Sequence, residues 1–463
     1  MSSSDKLLSF LSEAKSTYHC IASARSRLLE AQFKEISLSA NVWDLQPGNK
    51  YFFTSNQTTL FAFIVGSSFD TTTSKISIIG SHSDSPTLKI RSKNNLPNKS
   101  SGSVCLDFST YGGGLWSTFF DRDLTVAGRV LYKKSDDSVA TKLVHIQKPL
   151  LFIPSLAIHL RKNKSEGQQL DLDKDLKPVF YLDHEEKKEE TKEGRRQKED
   201  NFLVSSTSNS ILLQELSSLI DVEPSSILHL DLELADTQPP SILGPRGDFV
   251  LGQGLDNKVS AFCSLEALLS LSTTDFSSIK SLVIFDHEEV GSCSNVGAKS
   301  NFTSYACERI FSSLNNSSSV GVEGFINRSF IISADGAHAI HPAHSDRSDS
   351  QHQCKLGKGV CIKTSAKVKY MTNLSPLSLV MKVSQNNGIP LQWFTGKESV
   401  PGGSTIGPHI SSHSTMQVLD LGLGMWGMHS IRETCSVVDV EWLVKLLTGV
   451  YMSEDDAVVE EIW

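Results

Sequence analysis

Apolar residues recur along this chain with two different periods, and the period indicates which element each stretch forms. Between Leu7 and Ala14 they repeat at helical spacing, and a second helix is predicted over residues 21–33. Short apolar runs then predict three strands, at residues 50–53, 59–65 and 75–80. These patterns predict a domain that contains both helices and strands.

From residue 248 onward, strand patterns and helix patterns alternate. The predicted helices cover residues 257–271, 376–385 and 439–451. The predicted strands cover residues 281–285, 329–333, 390–394 and 418–421. Such alternation favours an α/β sheet with helices on both faces.

Residues 92–247 have a different texture, because their apolar runs are short, β-type and separated by turns (125–132, 142–146 and 227–234). We therefore predict a discontinuous α/β domain, formed by residues 1–91 plus 248–463 and interrupted by a β-rich insert over 92–247. Residues 185–200 carry 13 charged side chains in 16 positions, which predicts a mobile surface loop.

Composition narrows the class of protein. The 463 residues are 39% hydrophobic and 21% charged, which is a globular balance, and the net charge of −8 argues against general nucleic-acid binding. No apolar run approaches the ~20 residues of a spanning helix, and the first residues lack a signal-peptide core. We expect a cytoplasmic protein whose eight cysteines, none in a C-x-x-C pair, are reduced thiols.

Polar residues that could hold a metal follow the ends of the predicted strands. They are His82 and Asp84 after 75–80, Glu288 and Glu289 after 281–285, Asp335 after 329–333, His429 beyond 418–421, and Asp256 in a glycine-containing loop before a helix. Taken singly, each has an ordinary interpretation: a hydrogen-bonded histidine, a solvated acidic pair, or a helix cap. Together, imidazoles and carboxylates at the carboxyl edge of one sheet form the ligand set that a pair of zinc ions needs.

These residues stand in sequence blocks that resemble the aspartyl aminopeptidase family, which are dinuclear zinc exopeptidases. Ten blocks occur in family order across nearly the whole chain: GSHSDSPTLKI (80–90), YGGGLWSTFFDRDLTVAGRV (111–130), IPSLAIHL (153–160), ELADTQP (233–239), GLDNKVS (254–260), FDHEEVGS (285–292), SADGAHAIHP (333–342), KGVCIK (358–363), GGSTIGP (402–408) and MHSIRE (428–433).

The resemblance implies a role for each metal-site residue. His82 and Asp335 match ligands of a first zinc, Asp256 matches the carboxylate that bridges two zinc ions, and Asp84 matches the carboxylate that orients His82. Glu289 and His429 match the ligands of the second zinc. Glu288 matches the general base toward the attacking water. Manganese or cobalt could replace zinc at one of the two sites.

The resemblance also implies a fold, a substrate and an assembly. The fold is an α/β, zinc-exopeptidase-like catalytic domain of mixed sheet, interrupted by an inserted β-rich dimerisation domain. The substrates are peptides with N-terminal Asp or Glu, whose acidic side chain Lys363 would hold in a pocket lined by His338 and Tyr370. His159 lies in an apolar run, residues 153–160, whose pattern predicts a strand. The resemblance implies that this histidine, on the inserted β-rich dimerisation domain, reaches the active site of a neighbouring subunit. The family assembles as a tetrahedral homododecamer built from dimers, with no membrane or nucleic-acid partner.

Three departures from the family pattern lie near the expected pocket. Gly336 follows Asp335 where many members carry a larger residue, residues 347–349 read Arg-Ser-Asp rather than Lys-His-Glu, and residues 397–402 replace Arg-Asn-Asp-x-Pro-Cys. Two alternatives stay open for this reason. One is an aminopeptidase of broader or neutral specificity on the same scaffold, and the other is a non-catalytic assembly or cargo homologue.

Overall fold

A computed structural model describes residues 2–91, 98–161, 170–183, 207–315 and 321–453. The chain divides into two compact units. The first comprises Met1–Ser85, Pro240–Met428 and Arg432–Trp463, and the second comprises Pro86–Pro239 with the short piece His429–Ile431. The domain boundaries drawn from the sequence, and the assembly role of the insert, stay predictions.

The first unit is organised around a mixed nine-stranded sheet. Its strands are β1 (Lys34–Glu35), β2 (Lys50–Ser55), β3 (Thr59–Val65), β4 (Ile76–His82), β15 (Ile279–Phe285), β16 (Phe330–Ala334), β18 (Val360–Thr364), β19 (Leu391–Thr395) and β20 (Gln417–Gly422). Their order is β1-β2-β3-β15-β4-β16-β20-β18-β19. The four adjacent strands β15, β4, β16 and β20 are mutually parallel, so their carboxyl ends meet at one edge.

Helices cover both faces of this sheet, because successive strand residues point to opposite sides. On β4, Ile79 joins one apolar cluster and Ile78 joins the other. The first cluster is completed by α1 (Ser3–Glu13), α2 (Thr17–Glu30), α5 (Leu255–Leu269), α8 (Leu374–Asn387) and α10 (Val437–Met452). The second is completed by α6 (Phe302–Leu314), α7 (Val322–Arg328) and α9 (Ile406–Ser411). The predicted α/β architecture is therefore confirmed.

A smaller five-stranded sheet belongs to the same unit. It is formed by β13 (Ser241–Leu243), β14 (Phe249–Gly252), β17 (Ala337–His338), β21 (Gly424–Trp426) and β22 (Glu433–Ser436), in the order β13-β14-β22-β21-β17. The apolar pattern did not predict these strands, because most have only two to four residues and too few positions to show a period.

The second unit has its own core around an antiparallel sheet in the order β10-β9-β12-β5-β8. The strands are β5 (Thr87–Ile90), β8 (Phe108–Tyr111), β9 (Leu124–Lys133), β10 (Val139–His145) and β12 (Ile227–Asp236). A three-stranded sheet, β11-β7-β6, consists of β6 (Asn98–Ser100), β7 (Ser103–Cys105) and β11 (Val179–Leu182). Among the described residues, this unit also contains the α-helices α3 (Leu172–Asp175) and α4 (Thr207–Ile220).

Two expectations from the sequence are wrong. Cys354 and Cys361 form a disulfide, so not all eight cysteines are thiols. Residues 153–160 form no strand: the chain leaves an isolated bridge at Phe152 and ends in a 3₁₀ turn at Ile158–Leu160. Pro154 lacks the backbone N–H that a strand would donate at this point.

Two further expectations concern mobility and membranes. The predicted loop at 185–200 lies outside the described residues, so it stays a prediction. Across the part of the chain that the structure describes, no helix has the length and apolar character needed to cross a membrane.

Candidate metal centre

His82 is the last residue of β4, and both of its ring nitrogens have carboxylate neighbours. Its Nδ1 lies 3.1 Å from the Asp84 carbonyl oxygen and 3.4 Å from Asp84 Oδ1. A proton on Nδ1 would be donated there, which leaves the lone pair on Nε2. Nε2 lies 3.5 Å from Asp256 Oδ1 and 3.8 Å from both Glu288 Oε2 and Asp335 Oδ1. A histidine that binds metal through one ring nitrogen usually donates the N–H of the other ring nitrogen to an oxygen acceptor, which fixes the orientation of the ring.

Asp84 also fixes the turn that carries the two glutamates. Oδ1 of Asp84 accepts the backbone N–H of Glu288 at 3.2 Å, and Oδ2 accepts that of Glu289 at 3.1 Å. The turn is a single 3₁₀ turn, Glu288–Val290, which begins after His287 in the left-handed region at φ 61°. Asp84 therefore positions the histidine through its backbone carbonyl and the acidic pair through its carboxylate.

Asp256 lies at the entrance of α5 and does not cap it. The N-cap is Gly254, and Asp256 itself has non-helical backbone angles of φ −82° and ψ 104°. Its backbone N–H donates to Glu433 Oε2 at 2.9 Å, and the neighbouring Asn257 side chain donates to the Ala334 carbonyl at 2.8 Å. These bonds tie the loop to β22 and to the carboxyl end of β16.

The donor atoms of His82, Asp256 and Asp335 lie within 4.8 Å of one another, and all three side chains are buried. A second such group consists of His82, Glu288 and Glu289. Two ligands of a tetrahedral zinc with bonds of about 2.0–2.1 Å stand about 3.3 Å apart. The distances of 3.5–3.8 Å around His82 Nε2 are close to that value, so the residues fit a metal ion of this size.

The electrostatics of the cluster also fit a cation. Burial, followed by the charges of Asp335, Asp256 and Asp84, raises the pKa of Glu288 to about 8 although His82 lowers it. Burial and Asp256 likewise raise the pKa of Glu289 well above its usual range. For His82, burial alone would lower the pKa, but the surrounding carboxylates raise it well above its usual value. Such crowding of negative charge is what a divalent ion would offset.

Lys363 places a buried ammonium beside this centre. The side chain, on β18, is 2% exposed, and its Nζ lies 3.6 Å from Asp335 Oδ2. Burial would lower the pKa of Lys363, yet Asp335 and then Tyr370 and Asp420 raise it above its usual value. The residue is therefore a charged group held next to a candidate metal ligand.

Tyr370 and His338 meet around one apolar side chain near this lysine. Nζ of Lys363 lies 5.2 Å from the centre of the Tyr370 ring. The rings of Tyr370 and His338 lie 6.0 and 6.3 Å from that of Phe394. Phe394 packs in a small cluster with the disulfide residues Cys354 and Cys361. The structure thus brings the three predicted pocket residues into one region.

Two of the predicted site residues belong to the second unit. His429 Nδ1 lies 2.9 Å from the Gly113 carbonyl oxygen of that unit. His159 is exposed within the turn Ile158–Leu160. Their roles as metal ligand and as a partner to a neighbouring active site stay predictions.

The departures at 336 and 397–402 have visible surroundings. A Cβ at Gly336 would lie 2.5 Å from Met425 Cε and 3.1 Å from Met428 Cε, so two flexible side chains fill the space of a larger residue. Residues 397–402 line a cavity of about 320 Å³ that also includes Tyr370. Lys397 Nζ donates to the Asp346 carbonyl at 2.6 Å, which ties this rim to the segment that precedes Ser348.

Two functional neighbours were not identified from the sequence. Glu433 holds the backbone of Asp256, and Asp420 is fully buried on β20 within reach of the charge of Lys363. A signal for Asp420 was present, because it is an acidic residue inside an otherwise apolar strand, VLDLG. The signal for Glu433 was weak, since nothing local distinguishes it from a surface glutamate.

Comparison with known proteins identifies the family of this chain. Residues 10–451 match the family model described as aminopeptidase I zinc metalloprotease (M18). An aspartyl aminopeptidase of Dictyostelium discoideum is 36% identical over 461 residues, covering 96% of this chain and 94% of the relative.

Solved structures show the same fold. A chain in the cryo-EM structure of the Ape4 and Nbr1 complex has a TM-score of 0.90 at 34% identity, covering 97% of this chain and 85% of that one. The S. cerevisiae mApe1 dodecamer has a TM-score of 0.82 at 25% identity, covering 96% and 95%. The resemblance found in the sequence is confirmed, and the chain belongs to the M18 family of aminopeptidase I zinc metalloproteases.

Proposed function

We propose that this chain is a metalloaminopeptidase that removes N-terminal Asp and Glu from peptides. The observation that carries the proposal is the buried ammonium of Lys363, 3.6 Å from Asp335 in the candidate metal group. A substrate held with its first carbonyl at the metal would place a short side chain next to this cation. The curated relatives named aspartyl aminopeptidase support the same specificity.

The donor set supports two zinc ions for each subunit. His82, Asp256 and Asp335 would hold the first, and Asp256, Glu289 and His429 the second, where manganese or cobalt could substitute. Zinc in such a site polarises a carbonyl group and makes water a stronger nucleophile at neutral pH.

We assign the transfer of the water proton to Glu288. Its carboxylate lies beside His82, and its backbone is fixed by Asp84. As general base it would take the proton of the attacking water, and as general acid it would return the proton to the leaving amine. Because Glu289 and Glu288 are held on the same turn, one can bind metal while the other remains free for this task.

Lys363 would supply the specificity. A buried cation that loses its partner costs several kcal/mol. An acidic side chain would pair with the ammonium, whereas an apolar side chain would desolvate it without compensation. The difference disfavours neutral N-termini, and His338 and Tyr370 would enclose the same side chain.

The proposal extends to the assembly of subunits. We infer a homododecamer built from dimers, since the S. cerevisiae mApe1 structure is a dodecamer and the chains share one fold. The second unit exposes Leu156, Ile158 and Leu160 around His159, an apolar turn suited to contact a neighbouring subunit. The cytoplasmic location stays a prediction.

A broader or neutral specificity is the second candidate, favoured by one observation. Residues 397–402, which depart from the family pattern, line the cavity beside Tyr370. The non-catalytic alternative is disfavoured, because the chain retains the acidic pair and the metal group of a peptidase family.

A panel of peptides that differ only in the N-terminal residue tests the function. We expect kcat/KM to be highest for Asp and Glu and activity to disappear after chelation, with recovery on adding zinc. Equal rates on Ala and Asp peptides would favour the broader candidate. Full activity after metal loss verified by mass spectrometry would exclude the metalloenzyme.

A further inference from the structure

Asp420 is a fully buried carboxylate on β20 that makes no part of the metal group. Its strand pairs antiparallel with β18, where Cys361 lies opposite Gly422 and Ile362 opposite Leu421. The ladder ends there, and the next residue of β20, Asp420, bonds the backbone of Met371 instead of that of Lys363. In an antiparallel pair, directly opposed residues share a face of the sheet.

The packing places both side chains on the same face. Ile362, Leu419 and Leu421 all belong to the apolar cluster under one side of the sheet. Because neighbouring strand residues alternate, Lys363 and Asp420 point to the other side. The carboxylate therefore lies on the same face of the sheet as the ammonium, which pairs with Asp335 at 3.6 Å.

The Asp420 carboxylate is itself held from two directions. Oδ1 accepts the hydroxyl of Thr405 at 2.7 Å, and Oδ2 accepts the backbone N–H of Met371 at 2.6 Å. A Cβ at Gly407 would collide with the carboxylate, so α9 approaches it at the closest distance a glycine allows. The group has little freedom to move.

The same contacts fix the segment that carries Tyr370. The backbone N–H of Asp420 donates to the Met371 carbonyl at 2.8 Å, so residue 371 is bound to Asp420 on both sides. The hydroxyl of Thr372 donates to the Lys363 carbonyl at 2.9 Å. The Asp420 carboxylate therefore holds the segment that follows Tyr370 through Met371, and this segment in turn holds the backbone of Lys363 through Thr372.

We propose that Asp420, locked by Thr405, is a positioning residue that holds Lys363 and Tyr370 in place and so sets the preference for acidic N-terminal residues. This inference rests on the proposed function and deepens it. Asp420 does not touch the reacting atoms; it acts through Lys363.

The test compares selectivity, defined as kcat/KM for an Asp-Ala peptide divided by that for an Ala-Ala peptide. In Asp420→Asn we expect this ratio to fall about tenfold, the effect of one hydrogen bond to a charged group. Thr405→Val, which removes the hydroxyl that donates to Asp420, should lower the ratio less than Asp420→Asn does. Thr405→Ser keeps a hydroxyl and should keep the ratio of the parent protein. In a Lys363→Ala background, Asp420→Asn should change the ratio no further.

Asp439→Asn is the matched control. Asp439 is also fully buried, and it accepts the backbone N–H groups of Gly357 and Gly359 at 2.7 and 2.9 Å. It lies on α10 and contacts none of the pocket residues named above. We expect a lowered Tm with the selectivity of the parent protein. An equal loss of selectivity in Asp439→Asn would show that Asp420 acts only on stability.

Equilibrium binding separates this inference from the proposed function. In a Glu288→Gln background, the Kd ratio for Asp-Ala against Ala-Ala reports the pocket without turnover. Equal binding of both peptides by that parent would refute the proposed specificity, and the inference with it. A parent preference that survives unchanged in Asp420→Asn and Thr405→Val would overturn the role of Asp420 alone.

Discussion

At the scale of single residues, His82 and Asp84 show how few side chains organise the centre. The backbone carbonyl of Asp84 orients one nitrogen of His82, while its carboxylate binds two backbone N–H groups of the glutamate turn. The other nitrogen of His82 faces Asp256 and Asp335. Glu288 is not needed to orient these side chains, so its carboxylate is available to transfer a proton.

Glu288→Gln tests that role. Gln has the same shape but cannot accept the proton, so we expect kcat to fall about 10²–10⁴-fold, the usual contribution of general acid–base catalysis. Metal content, measured by mass spectrometry, should match the parent. A near-normal kcat would place the base on another residue.

Lys363→Ala tests specificity. Removal of the buried cation should reduce kcat/KM on Asp and Glu peptides far more than on Ala peptides, because only the acidic side chains pair with it. The measurement is the ratio of the two values in one preparation. A uniform loss on all peptides would mean that Lys363 supports the fold beside Asp335 instead.

At the scale of elements, the parallel strands β15, β4, β16 and β20 do most of the positioning. In their register Phe285 lies opposite His82, and Ala334 lies opposite Leu421, so the four strands end close to the same level. Asp335 continues this edge, with its N–H bound to the Leu421 carbonyl at 2.9 Å. Residues distant in sequence meet because the strands are adjacent.

Asp84→Asn tests how the turn that carries Glu288 and Glu289 is held in place after β15. An amide would keep one acceptor oxygen but present an N–H to the second backbone N–H. We expect activity or metal affinity to fall about 10–100-fold, as for other residues that orient metal ligands. The control is again Asp439→Asn, whose carboxylate also accepts two backbone N–H groups. A comparable loss in both variants would indicate general destabilisation.

At the scale of the whole molecule, the second unit is the part expected to join subunits. It has its own core and exposes an apolar turn around His159. If His159 enters the active site of a neighbour, activity depends on assembly. A donor that stabilises the developing oxyanion contributes roughly 2.7–4 kcal/mol.

Subunit mixing tests this dependence. His159→Ala and Glu288→Gln are each expected to be nearly inactive, but mixed oligomers should regain partial activity, because some sites combine an intact residue from each variant. Exchange is followed with labelled subunits. Verified exchange without any recovered activity would confine His159 to its own subunit or to packing.

The sequence by itself determined the fold class and most of the long elements. Strand β3 covers Thr59–Val65 as predicted, and the strong periods of α1, α5 and α10 gave helices within a few residues of their observed ends. It also singled out His82, Asp256 and Asp335 as candidate metal ligands, because each lies at the end of an apolar element. Local periodicity is sufficient for such features, since it depends only on neighbouring residues.

Only the tertiary structure decided which of these groups meet and what holds them. The disulfide Cys354–Cys361, the short sheet from β13 to β22, and the link from Asp420 through Met371 and Thr372 to Lys363 all join residues whose spacing in sequence carries no period. The turn at Ile158–Leu160 reads as a strand in sequence, because apolar content alone does not show that hydrogen-bond partners are missing. Distances between elements follow from strand order and packing, which local sequence does not encode.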